Sequence, residues 1–113
     1  MNALDNFIND WVFDVSEPRN FSTKVEDSDF LIKYLETEGY SVRSSIEPGY
    51  FYCVISKDNL EVSADSRSKV RPRTIQEAVC LAALKVHLPE NDQRSWNKVY
   101  RALNLPHLVI ELS

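Results

Sequence analysis

The sequence predicts an α+β fold, a three-stranded antiparallel meander packed with α-helices in the order α-α-β-β-β-α-α. Three observations carry this. The apolar residues of TIQEAVCLAALKVHL (74–88) recur at three and four, a helical period. Those of residues 40–65 recur at two, the period of strands with one packed face. Turn chemistry punctuates the second stretch at EPGY and KDN, so its strands are consecutive hairpins.

Each element follows in turn. In ALDNFINDWVF (3–13), Leu4, Phe7, Ile8 and Trp11 share a helical face, Asn2 can cap, and Asp5 complements the positive end of the helix dipole. VSEPRN is a connection, because Pro18 excludes a regular helix. A second helix begins either at Ser22, with Glu26 in its first turn, or a turn later at Asp27 and Ser28. Leu31, Tyr34 and Leu35 mark its buried face, with Val25 or Phe30 extending it, and Gly39 stops it as a left-handed C′ residue.

Tyr40, Val42, Ser44 and Ile46 then alternate with Ser41, Arg43 and Ser45. Pro48 and Gly49 occupy the positions a type II turn requires. Phe51, Cys53 and Ile55 form one face of the next strand, Tyr50, Tyr52, Val54 and Ser56 the other. A third strand alternates Leu60, Val62 and Ala64 with Glu61, Ser63 and Asp65. SRSKVRPR (66–73) is a loop into the central helix, whose Thr74 and Glu77 have capping-box spacing and whose end is set by Pro89. Apolar residues cover most of that helix, leaving Gln76, Glu77, Lys85 and His87 for water, so it is expected to lie largely buried on the sheet. Trp96, Val99, Tyr100 and Leu103 mark a fourth amphipathic helix, and HLVIEL can form an additional strand.

At 113 residues the chain is one domain, read as a core over 1–88 with a C-terminal helical extension over 89–113. It is 43% apolar and 27% charged, as ordinary globular domains are. A net charge of −4 disfavours a general nucleic-acid coat, which needs many cations to displace counterions from phosphates. No run approaches the apolar length of a membrane span, and MNALDNFIND has no signal-peptide pattern, so a cytoplasmic protein with no membrane partner is expected. Cys53 and Cys80 sit in apolar runs and read as buried reduced thiols; His87 and His107 fall at no metal-ligand spacing with them. No cofactor motif, nucleophile elbow or acid–base pair stands out, and no catalytic residue is assigned.

Four stretches in order, LDNFINDWVFDV, PRNFST, LETEGYSVRSS and VSADSRSKVRPRTIQEAVCLAALKV, together resemble the phage ABA sandwich domain proteins, small phage and prophage proteins of unknown function. LDNFINDWVFDV is similar to the family's opening helix, PRNFST to its entry into the second, and LETEGYSVRSS to its helix-to-strand joint. VSADSRSKVRPRTIQEAVCLAALKV is similar to its Ala-Asp and Thr-x-x-x-Ala-x-x-x-Ala-Ala-Leu close. The likeness spans residues 3 to 88; the loop SRSKVRPR is longer than the family's, and 90–113 is an addition. It implies a helix–sheet–helix sandwich in the cytoplasm of a host cell and carries over no activity.

Two features are candidates for function. Arg67, Lys69, Arg71 and Arg73 lie within seven residues and precede a helix N-terminus, which favours a phosphate-bearing ligand, a nucleotide or an acidic partner. Short charge runs are more often solvated, and the loop has no glycine to form a phosphate cradle. Tyr50 and Tyr52 put aromatic surface opposite the core face, and Trp96 and Tyr100 add more, which suits a protein interface. The expectation is a non-enzymatic accessory protein that binds a host or defence protein. The alternatives are an oligomeric binder of a small anionic ligand and a double-stranded-RNA-type binder, the last opposed by an acid in the first turn of TIQE. Self-association into a homo-oligomer is a further expectation, since an apolar appendage must be buried somewhere.

Overall fold

A computed structural model describes residues 3–11 and 19–111. The Asn2 cap, the Trp11 side chain and the connection around Pro18 lie outside the described residues. The order is α1 (Ala3–Trp11), α2 (Val25–Thr37), β1 (Ser41–Glu47), β2 (Tyr50–Lys57), β3 (Leu60–Asp65), α3 (Ile75–His87) and α4 (Gln93–Ala102). The strands form one antiparallel sheet in sequence order, as expected. Two-residue loops join them, at Pro48-Gly49 and Asp58-Asn59. Gly49 has φ +84°, the value the second central position of a type II turn demands, and Gly39 ends α2 at φ +95°.

Helix α3 is the centre. Every residue from Glu77 to Leu84 is buried, and the helix packs on all three strands, on α1 and on α2. Its small residues, Ala78, Ala82 and Ala83, let the backbone approach closely, while Leu81 and Leu84 fill the remaining space. Cys53, Ile55 and Ala64 supply the buried positions of the inner sheet face. Helix α4 packs on α1, and Trp96, Val99, Leu103 and Leu105 join the same core, so residues 93–105 are part of the domain rather than an appendage to it.

The sandwich implied by the resemblance is not what the described residues form. Helices gather on the inner face only, and the outer face, Arg43, Ser45, Glu47, Tyr50, Tyr52, Val54, Ser56, Glu61, Ser63 and Asp65, carries no fully buried residue. Four smaller expectations are also corrected. Helix α2 starts at Val25 with no side-chain cap, because Asp5 takes the Ser22 N–H at 2.7 Å and Asn20 O accepts from Thr23 N and Lys24 N. Val25 and Phe30 face solvent instead of extending the buried face; Phe30 lies under the Arg19 guanidinium at 3.9 Å. Among the described residues the run after Pro106 makes a single 3-10 turn, Pro106–Leu108, and no strand. Asn97 satisfies Ile110 there, its side chain donating to Ile110 O at 2.7 Å and accepting from Ile110 N at 3.0 Å.

The fourth correction is Glu77, which is 4% exposed rather than open to water. Thr74 Oγ1 accepts from Glu77 N at 3.2 Å, half of the expected capping box. The return bond goes to Arg73 N at 2.8 Å, one residue earlier than that motif places it, and the Arg73 guanidinium pairs with the same carboxylate at 2.8 Å. Replacing Glu77 with alanine leaves the Arg73 backbone N–H without its acceptor and the guanidinium with Ala102 O alone. A loss of about 1–3 kcal/mol in urea unfolding is expected.

Candidate functional site

The outer sheet face is built by the parity of the strands. On β2, Tyr50 and Tyr52 point away from α3 because Cys53 and Ile55 point towards it. Their rings stack at 6.0 Å with an interplanar angle of 26°. Tyr52 has Ser45 on one side and Asp65 on the other, and Val54 lies between Arg43 and Ser63.

The loop after β3 completes the patch. Ser66 continues the pairing past Asp65: its N–H donates to Phe51 O and its hydroxyl accepts from Phe51 N, both at 3.0 Å. Arg67 follows, its own N–H held by the Asp65 carboxylate at 2.8 Å, and its guanidinium lies over the Tyr50 ring at 4.3 Å. Arginine stacked on tyrosine, in turn stacked on tyrosine, is a cation–π arrangement on an uncovered surface.

The four loop cations therefore do not act as one group. Arg67 belongs to the aromatic patch, and Arg73 is engaged by Glu77 and by Ala102 O at 3.3 Å. The bond from Glu77 raises the Arg73 pKa. Lys69 and Arg71 extend into solvent. Glu77 fills the N-terminus of α3 that the anion reading would have used.

Nor do the four interface aromatics meet. Trp96 and Tyr100 stack on each other at 6.2 Å and line a separate cleft of about 440 Å³ beside β3. Val62, Val70, Trp96 and Tyr100 wall it, with Lys85 and Glu90 as its charged groups. Trp96 is anchored through Nε1 to Pro89 O at 2.9 Å. Burial lowers the Lys85 pKa, partly offset by Asp65, and Lys85 Nζ donates to Ser63 O at 2.6 Å. Burial raises the Tyr100 pKa. A second cleft of about 520 Å³ lies between α1 and α4, with Asn6, Phe7, Asp10, Lys98 and Arg101 along it.

No family model, curated protein or solved structure matches the chain.

The remaining reactive groups are structural in placement. Cys53 and Cys80 are buried free thiols, and burial pushes Cys53 up to about 12 and Cys80 well above its ordinary value. His87 sits in the last turn of α3, its Nδ1 donating to Ala83 O at 2.9 Å, with its ring 6.3 Å from that of Tyr40. Among the described residues no three His, Cys, Asp or Glu side chains group to hold a metal, and no helix is long and apolar enough to cross a membrane. Sequence reasoning missed Arg43 as a neighbour of the patch, and Lys85 as the charge at the β3 edge. Its position on the outer face follows from period two alone for Arg43; for Lys85 the only signal is a cation on an otherwise buried helix.

Proposed function

We propose that this chain acts by binding a protein partner, without catalysis, and that the contact is the uncovered face of the sheet around Tyr50, Tyr52 and Arg67. One observation supports this above the rest: Arg67 stacks on Tyr50 and Tyr50 on Tyr52, on a face that no described helix covers. Tyrosine and arginine dominate the energetics of protein interfaces because they bury large rigid area and still satisfy polar tips. The stacking also holds the side chains before any partner arrives, which reduces the entropy lost on binding. With the phage-like sequence pattern, the partner is a host or defence protein met in the host cytoplasm.

The test is affinity capture from host lysate, with recovery of each captured protein quantified against single variants. Tyr52→Ala and Arg67→Glu are each expected to lower recovery of the specific partner about tenfold or more. Lys69→Glu and Arg71→Glu are expected to leave it unchanged. Loss of capture with the Lys69 and Arg71 reversals, and not with Tyr52→Ala, would instead place the contact on the solvated cations and favour an anionic ligand.

A further inference from the structure

The two edges of the sheet differ. Because the hairpin closes at Glu47↔Tyr50, residues 47, 45, 43 and 41 of β1 exchange hydrogen bonds with β2. The N–H and C=O groups of Val42, Ser44 and Ile46 then point away from the sheet. The same counting from Lys57↔Leu60 directs Glu61, Ser63 and Asp65 outward on β3. There two of the outward carbonyls are capped: Lys85 Nζ bonds Ser63 O at 2.6 Å, and the Ser68 hydroxyl bonds Asp65 O at 2.8 Å. Along β1, none of the described residues bonds to the outward groups of Val42, Ser44 or Ile46. Ile46, on the inner side of that edge, is 71% exposed, and Ser44 beside it is also exposed. A long unprotected edge with an exposed apolar residue is a template for another strand.

We propose that the other strand is β1 of a second copy, paired antiparallel about a two-fold axis at Ser44. This inference is independent of the partner surface above. The strand's own sequence argues for it. With Ser44 opposite Ser44, Ile46 of each copy faces Val42 of the other on the inner side, and the outward groups of residues 42, 44 and 46 all find partners. On the outer side Arg43 faces Ser45 of the second copy, with Glu47 of that copy on one diagonal and Arg43 of that copy on the other, so two opposite-charge contacts accompany one like-charge contact. Neighbouring registers are worse. An axis at Arg43 sets two arginines face to face, and an axis at Ser45 brings Pro48, which has no N–H, into the ladder. The two three-stranded sheets become one of six strands.

Sedimentation equilibrium of the full chain tests this, with amide exchange as a second readout. The wild-type protein is expected to be a dimer at micromolar concentration, with the Val42, Ser44 and Ile46 amides protected and becoming exchangeable on dilution. Ile46→Lys and Ser44→Pro are expected to give folded monomers; the Ser44 N–H points away from β2, so proline there removes no bond of the native hairpin. Arg43→Glu should weaken the dimer on the order of tenfold by facing two like charges, about 1.4 kcal/mol. Adding Glu47→Arg in the same chain should restore it, which only pairing between copies explains. A wild-type monomer at all concentrations overturns the proposal and leaves the edge to a foreign strand. So does a dimer indifferent to Ile46→Lys and to the charge exchange. Tyr52→Ala is expected to leave the dimer intact, so the two surfaces fail separately.

Discussion

Replacing Leu81 with alanine is expected to destabilise the protein by about 3–4 kcal/mol. Leu81 is fully buried in the middle of α3, where that helix touches the sheet and the neighbouring helices at once. Removing its isobutyl group forfeits the transfer free energy of the missing carbons and leaves a cavity that the surroundings cannot fill. Ala78, Ala82 and Ala83 beside it on α3 have no rotamer to swing, Leu84 is itself fully packed, and the sheet beneath is held by two hairpins. With domain stabilities of about 5–15 kcal/mol, the substitution removes a substantial fraction of the total. The midpoint of urea unfolding should fall by about 1–3 M with an unchanged slope. Val25→Ala is the control: Val25 is more than half exposed, and a change within about 0.5 kcal/mol is expected. Equal losses for the two would mean that α3 is not the centre of the core.

The protein should lose stability steeply in alkali. Burial raises the Cys53 thiol from its ordinary 9.0 to about 12 and raises Cys80 as well, with Asp5 and Glu77 adding to the latter. For an acid whose native pKa lies above its unfolded value, the unfolded chain releases its proton first. The native state therefore holds more protons between pH 9 and 12, and stability falls with rising pH across that window; below pH 9 the thiols have no effect. At about pH 11 Cys53 alone accounts for about 2–3 kcal/mol, and Cys80 acts in the same direction. Lys85 acts oppositely: its lowered native pKa makes stability rise as pH approaches 10.5, but it is partly solvated and its share is smaller. Urea unfolding repeated across this range checks the prediction. Cys53→Ala lowers stability at every pH through lost packing, but it should flatten the slope between pH 9 and 12. An unaltered slope in a chain lacking both thiols would show that other groups control it.

The architecture was legible where a single face decides the matter. Strand parity from Tyr40 to Asp65 assigns each residue to one side of the sheet, and α3 declares itself because nearly every side is apolar. Legibility stopped where the cause lies far along the chain. The start of α2 depends on Asp5, seventeen residues before Ser22, and on Asp27 reaching back to Asn20 N. Nothing local distinguishes Val25 or Phe30 from residues of the buried face. The tail failed as a strand because Asn97, thirteen residues away, meets the Ile110 backbone with a side chain. The candidate site divides in the same manner. The outward aim of Tyr50 and Tyr52 is a property of period two, whereas the seating of Arg67 on Tyr50 requires Ser66 to pair across to Phe51.

The meander has a consequence for how the molecule assembles. Its strands pair in chain order through two-residue loops, so the contacts that define the sheet close short loops of chain. Such local pairings cost little loop-closure entropy and form early. What covers the inner face, however, is α3, whose residues follow the last strand. During synthesis the sheet can therefore take shape while Cys53, Ile55 and Ala64 are still bare. The slow, vulnerable interval in the life of this chain is the wait between the third strand and Leu84.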